Sequence, residues 1–131
     1  MILDSYAEFD QIDQDDNVRL MGITARGANR DGCAVRFICE SLLKRPEADK
    51  LFFILSDGQP SAWDYSGEAA ESDLKSIKRE YVRKGIVFVA AAIGDDKENI
   101  ERIYGNSFID VSNLEKLPEI LTNFIKRQLS I

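Results

Sequence analysis

The sequence predicts a three-layer α/β fold, with a mostly parallel sheet and helices on both of its faces. Three observations carry that expectation. Residues 51–55 (Leu-Phe-Phe-Ile-Leu) and 86–92 (Ile-Val-Phe-Val-Ala-Ala-Ala) are continuous apolar runs. Strands buried on both faces of a parallel sheet read this way, without polar alternation. From Cys33 onward the order is helix, strand, helix, strand, helix, strand, helix. That alternation is produced by parallel strands joined through crossover helices.

Each element has its own signal. Residues 3–9 are read as extended, Tyr6 and Phe9 suiting a strand, and residues 10–17 as an acidic polar loop. Residues 18–24 are read as a strand with Val18 and Leu20 on one face. Residues 27–32 (Gly-Ala-Asn-Arg-Asp-Gly) form a turn-rich loop in which Asn29 or Asp31 can cap a helix. The helix over residues 33–43 places Ala34, Ile38 and Leu42 on one face and ends before Pro46. Residues 56–67 are a loop rich in Gly, Pro and Ser. Residues 69–84 form an amphipathic helix with the stripe Ala70, Leu74, Ile77 and Tyr81, and Gly85 follows as its terminator. Gly94-Asp95-Asp96 is a turn, and residues 97–104 form a short helix stopped by Gly105. A third strand is expected at residues 107–111. Ser112 and Glu115 then have capping-box spacing ahead of a last helix carrying Leu117, Leu121, Phe124 and Ile125.

The composition excludes several function classes. A length of 131 residues fits one domain. Seventeen basic against 23 acidic residues give a net charge of −6, which argues against nucleic acid or an anionic membrane as the main partner. What remains is a weak preference for cations or basic protein surfaces, or simply a solvated, soluble exterior. The absence of histidine removes histidine-based acid–base catalysis, and with only two cysteines a Cys/His zinc site is excluded too. Cys33 and Cys39 stand six apart on one predicted helix, point to different faces and are poorly placed to bridge. Reduced thiols suit a cytoplasmic location. The first ten residues lack a basic stretch followed by an apolar run, so no signal peptide is expected, and the apolar runs are too short to span a bilayer. No Walker A, GxGxxG or GxSxG pattern occurs.

In an open parallel sheet, ligands bind beyond the C-terminal ends of the strands. Three loops are expected there: Ser56-Asp57-Gly58-Gln59-Pro60, Ile93-Gly94-Asp95-Asp96 and Asn29-Arg30-Asp31-Gly32. Asp57 is the sharpest candidate. A carboxylate at a strand end, in a turn fixed by Gly58 and Pro60, can hold a hard cation such as Mg²⁺ or Mn²⁺. It can equally cap its own loop by accepting backbone N–H groups. Asp95-Asp96-Lys97 reads as a solvated turn. Trp63 and Tyr65 either contact a partner or pack over the base of their loop. Asp64, Glu68, Glu71 and Asp73 give an acidic helix start that suits the helix dipole and requires no function.

Three motifs, in this order and at this spacing, resemble the von Willebrand factor A-type (vWA) family. Residues 51–60 (Leu-Phe-Phe-Ile-Leu-Ser-Asp-Gly-Gln-Pro) are similar to the vWA strand that ends in Thr/Ser-Asp-Gly-x-Pro. Residues 27–36, with Asn-Arg-Asp-Gly-x-Ala-x-Arg, resemble its cobaltochelatase and nitric-oxide-reductase-activation branch. Ala90-Ala91-Ala92-Ile93-Gly94 resembles the family's next strand.

The resemblance implies a non-enzymatic protein-interaction module with a metal-ion-dependent adhesion site, completed by a partner's carboxylate. Its metal residues here would be Asp57, Ser56, Asn29 and Asp31, the last two standing where the family has threonine. The family's Asp-x-Ser-x-Ser motif is not found; Asp4-Ser5-Tyr6-Ala7-Glu8 does not fit it. The resemblance therefore implies that residues 1–131 are a single vWA-like domain truncated at its N-terminus, without the family's first strand and helix. Mg²⁺ or Mn²⁺ binding is then expected to be weak or absent. The implied setting is an intracellular complex that contains an ATPase and assists a metalloenzyme. Without the first strand, the strand at residues 51–55 keeps a free edge. Either residues 3–9 or 18–24 fill it, or two chains pair there, and the expectation is a homodimer. The alternative is an Mg²⁺-dependent phosphotransfer or nucleotide-binding α/β enzyme using Asp57. It requires a lysine and further acids converging on Asp57, for which the sequence gives little sign.

Overall fold

The computed structural model describes residues 3–24, 30–56, 60–93, 97–111 and 113–129. In chain order the elements are α1 (Asp16–Met21), α2 (Asp31–Leu43), β1 (Lys50–Ser56), β2 (Ser61–Ala62), β3 (Tyr65–Ser66), α3 (Gly67–Arg83), β4 (Ile86–Ala92), α4 (Lys97–Tyr104), β5 (Phe108–Asp110) and α5 (Leu117–Leu129).

The three apolar segments form one parallel sheet in the order β1-β4-β5. β1 and β4 run in full register from Lys50 opposite Ile86 to Ser56 opposite Ala92. β5 pairs with β4 only across Ala90, Ala91 and Ala92. β4 is the central strand, which is why its run is apolar at every position. Alternate side chains go to opposite faces of a strand. Ile86, Phe88, Ala90 and Ala92 join Val35, Cys39 and Leu42 of α2, Leu74, Ile77 and Tyr81 of α3, and Ile100 and Ile103 of α4 in one core. Val89 and Ala91 pack on the other face with Ile109, Val111 and Phe124. Helices α2, α3 and α4 therefore cover one face and α5 the other, as the doubly covered fold requires. Gly85 (φ 93°) and Gly105 (φ 53°) end α3 and α4 in the left-handed conformation that glycine adopts without a steric penalty. Among the described residues no helix is long and apolar enough to cross a membrane.

The segment ahead of Asp31 departs from expectation. Residues 18–24 are not a strand: α1 occupies Asp16–Met21, and none of its residues is buried. The alternation of Val18, Leu20 and Gly22 has no neighbouring strand to pair with. The local electrostatics favour helix instead. Asp16 lies in the first turn, where the helix dipole favours acids, and Arg19 in the last, and the two form an i,i+3 ion pair. Arg19 also reaches Asp13 (2.8 Å) and the Tyr6 carbonyl (3.0 Å). Residues 3–9 form no strand either; a single bridge joins Glu8 to Gln11. Neither segment fills the edge of β1.

Two smaller differences concern α2 and α5. The residues α2 buries are Gly32, Val35, Cys39 and Leu42, so its inward stripe is turned by one residue from Ala34, Ile38 and Leu42. Arg30 stands at the cap position, and its own side chain makes no capping hydrogen bond. Asp31 is instead in its first turn, and Asn29 lies outside the described residues. Ser112 is likewise outside them. The Asn113 side chain accepts the Glu115 N–H at 3.0 Å ahead of α5. The two cysteines are free, Cys33 exposed and Cys39 buried.

Candidate functional site

The C-terminal ends of β1 and β4 are tied together: the Ile93 N–H donates to the Ser56 carbonyl at 2.9 Å. Beside them, between α2 and the free side of β1, lies a cavity of about 330 Å³. Asp31 and Ser56 both line it, with Pro60, Phe52, Ile54 and Tyr104. Two of the four predicted metal residues thus meet at one cavity, at the predicted edge of the sheet. The other two, Asn29 and Asp57, lie outside the described residues, as do Asp95 and Asp96.

The N-terminus of α2 is held at this edge by a half-buried latch. The Tyr65 hydroxyl donates to Asp73 Oδ2 at 2.7 Å and accepts the Gly32 N–H. A Cβ on Gly32 would collide with the Tyr65 hydroxyl and the Asp73 carboxylate. Gly32 is therefore a packing requirement: only glycine lets helix, hairpin and α3 converge here. Asp73 continues outward to Arg36 (3.4 Å), and Arg36 to Glu80 (3.1 Å). Burial, reinforced by Asp73, raises the Tyr65 phenol well above its ordinary range, and burial raises that of Tyr104 likewise. Both phenols stay protonated at neutral pH, and that of Tyr65 acts as a donor to Asp73. Cys39 is pushed up to about 12, chiefly by burial, and is a core thiol rather than a nucleophile.

β2 and β3 form a two-stranded hairpin, Ala62 opposite Tyr65, with Trp63 and Asp64 at its tip. Asp64 is ion-paired to Arg30, the residue that opens α2, so the hairpin tip is fastened to the same edge. Trp63 is 92% exposed. The two aromatics of this loop have separate fates: Tyr65 packs into the latch, while Trp63 is presented to solvent.

The acidic start of α3 also resolves into named contacts. Glu71 is buried and makes a two-point ion pair with Arg102 of α4 (2.7 and 2.9 Å). Asp73 serves the latch and Asp64 the hairpin. Sequence reasoning missed the latch because its three members come from three elements. The one legible sign was a glycine in the first turn of a helix, where glycine costs stability unless packing demands it.

The donor set around the cavity consists of oxygens, which a hard divalent cation accepts. Among the described residues no group of three or more His, Cys, Asp or Glu is placed to hold a metal ion. Asp31 and Ser56 are the two predicted metal residues that line the cavity among the described residues, against the six donors that octahedral Mg²⁺ requires.

A parallel sheet covered on both faces, with a cavity at the carboxyl ends of its strands, is the architecture of a vWA/Rossmann-like α/β domain. The chain belongs to the family described as the VWA domain of the cobalamin biosynthesis protein CobT, whose profile matches residues 11–130. It is 28% identical over 121 residues to the uncharacterized protein YojO of Bacillus subtilis (strain 168), covering 88% of this chain and 19% of that protein. It is 32% identical over 95 residues to protein NorD of Brucella suis biovar 1 (strain 1330), covering 70% of this chain and 15% of that protein. Protein NorD of Brucella melitensis biotype 1 matches at the same identity over the same length. The chain thus spans less than a fifth of the length of these relatives. No solved structure matches it.

Proposed function

We propose that this chain is a protein-interaction module, binding rather than catalytic, that works through the sheet edge formed by Asp31, Ser56 and the hairpin at residues 61–66. The observation that carries the reading is Trp63. A large aromatic side chain, nearly fully exposed on a short hairpin whose tip is ion-paired to the start of α2, is the kind of residue that anchors protein interfaces. Asp31, Ser56, Asn29 and Asp57 are proposed as a partial metal site that takes Mg²⁺ or Mn²⁺ weakly, the ion's shell being completed by a carboxylate of the partner. The family description, a cobalamin biosynthesis protein, is in keeping with a parent protein that assists a metal-handling enzyme; an ATPase in the complex is part of the same proposal. A cytoplasmic location belongs to the same reading.

The experiment is affinity capture with the wild-type chain, Trp63→Ala and Asp57→Ala, in Mg²⁺ and in chelator, read by quantitative mass spectrometry. The expected result is a protein retained in Mg²⁺, released by chelator and by Asp57→Ala, and weakened about tenfold or more by Trp63→Ala, the loss of roughly 1.4 kcal/mol that truncating an interface anchor exceeds. Capture indifferent to all three changes contradicts the reading. An Asp57-dependent phosphoryl transfer from ATP or acetyl phosphate would replace it with the enzymatic alternative.

A further inference from the structure

At the N-terminal ends of β4 and β5, the other end of the sheet from Ser56, lies a second and larger cleft of about 670 Å³. That volume is within the roughly 300–1,000 Å³ typical of ligand sites. Its walls carry five cations: Lys75, Lys78, Arg79 and Arg83 from α3, and Arg102 from α4. In a protein of net charge −6 this is a local inversion of sign. Two of the five are compensated: Arg102 is ion-paired to Glu71, which also acts on Lys75. Lys78, Arg79 and Arg83 have no ion pair among the described residues. Lys78 is the most telling of them. Its ammonium is half-buried and donates to the Tyr104 carbonyl and to Asn106 Oδ1 (3.2 Å), both uncharged acceptors. Desolvation lowers its pKa, as expected of a cation withdrawn from water without a carboxylate beside it.

Shape and charge together select the occupant. Arg79 and Arg83 stand one turn apart on α3, with Cβ atoms about 5–6 Å from each other, so one compact group can meet both guanidiniums. Like charges at that spacing repel, and a multivalent anion between them removes the repulsion. Guanidinium groups meet phosphoryl oxygens in two-point hydrogen bonds, and an ammonium adds a point charge. An extended peptide finds no purchase here, because Ile86, Phe88 and Val89 are buried and the start of β4 presents no open edge. A long polyanion is disfavoured too. Glu68 and Glu98 lie close enough to act on Arg102, so the positive region is bounded by acids. A lone monovalent anion would leave most of the volume unfilled. Val82 and Val87, each partly exposed, line the cleft beside the cations and suit an organic body attached to the anion.

We propose that this cleft binds a small molecule through a diphosphate or triphosphate group, held by Lys78, Arg79 and Arg83. The site is separate from Asp31, Ser56 and Asp57, and stands independently of the role proposed for the Trp63 edge.

The test is titration calorimetry on the whole chain at low ionic strength, in buffer freed of divalent cations, with ATP, inorganic tripolyphosphate, AMP and citrate. ATP and tripolyphosphate are expected to bind, and AMP and citrate to bind at least about tenfold more weakly. Tighter binding of ATP assigns the rest of the cleft to an organic body; tighter binding of tripolyphosphate assigns the site to the free inorganic anion. The double variant Arg79→Gln/Arg83→Gln is expected to weaken both about tenfold or more, as is raised salt. Both arginines are exposed, and circular dichroism checks that the double variant stays folded. Lys78→Arg keeps the charge and is expected to retain binding, and Asp57→Ala to leave it unchanged. Equal affinity of wild type and double variant overturns the proposal. So does citrate or AMP matching ATP, a doubly phosphorylated peptide binding more tightly than ATP, or no binding of either polyphosphate up to about 1 mM.

Discussion

Residues 3–24 and the body from Asp31 to Leu129 contain similar apolar side chains and treat them in opposite ways. In the body, Ile77, Val89, Ala90 and Ala91 are fully buried between a sheet and the helices that cover it. In the leading segment, Ile12 is 88% and Met21 86% exposed, and α1 buries nothing. The segment is attached by polar contacts instead. Arg45 reaches both carboxylate oxygens of Asp10 (2.8 and 2.9 Å) and lies over the Phe9 ring. An apolar pattern therefore specifies a strand only where a neighbouring strand exists to receive it. Without one, local helix electrostatics decided the outcome for Asp16–Met21.

Substitution in the core should separate the two regions most. Ile77→Ala is expected to cost about 3–4 kcal/mol in urea unfolding, the loss of a fully buried branched side chain plus the cavity left behind. Met21→Ala should stay within about 0.5 kcal/mol. A cost above about 2 kcal/mol at Met21 would mean that the leading segment is packed against something, and would break the comparison. A smaller effect is expected at the latch. Gly32→Ala should cost about 1–3 kcal/mol, because the new methyl forces apart the Tyr65 hydroxyl and Asp73. If the cost is below about 0.5 kcal/mol, the close approach of α2, β3 and α3 is wrong.

Acid should act on the body through Glu71. The hydrogen-bonded Arg102 guanidinium holds this carboxyl below its ordinary value of 4.5, against the opposing effect of burial. A folded-state pKa below the unfolded one contributes stability that is present above 4.5 and is lost as pH falls through the folded value. Glu71→Gln should therefore lower stability at pH 7 and flatten its fall below pH 4.5. An unchanged acid limb would remove Glu71 from the list of groups that drive it.

The body was legible and the leading segment was not, for one physical reason. The runs at residues 51–55 and 86–92 report burial on two faces. Their bounds match β1 to within one residue at each end and β4 at both ends. The stripe Ala70, Leu74, Ile77, Tyr81 reports the buried side of α3 directly. Such patterns encode long-range packing in local spacing. Contacts such as Gly32–Tyr65–Asp73 or Arg30–Asp64 join distant positions through single polar groups, which leave no period to read. Of the predicted site, the meeting of Asp31 and Ser56 at one cavity follows from topology. The exposure of Trp63 depends on a two-residue turn, and spacing left it undecided between surface and interior.

The leading segment also leaves β1 uncovered. Leu51 packs with the α5 layer, but Phe53 and Leu55 on the same face are exposed, and β1 is the outer strand of the sheet. An apolar edge strand of this kind favours pairing with another chain. We expect light scattering at micromolar concentration to report a dimer that Leu55→Asp disperses. A clean monomer would show that the exposed edge is tolerated.

The measurement that bears most directly on a partial metal site used for protein contact is titration calorimetry with Mg²⁺ on the chain alone, beside Asp57→Ala. With Asp31 and Ser56 as its described donors, and an ion that gives up its water reluctantly, the chain should bind no more tightly than about millimolar. Binding near micromolar that Asp57→Ala abolishes would contradict this, and would mean that the metal site is complete without a partner.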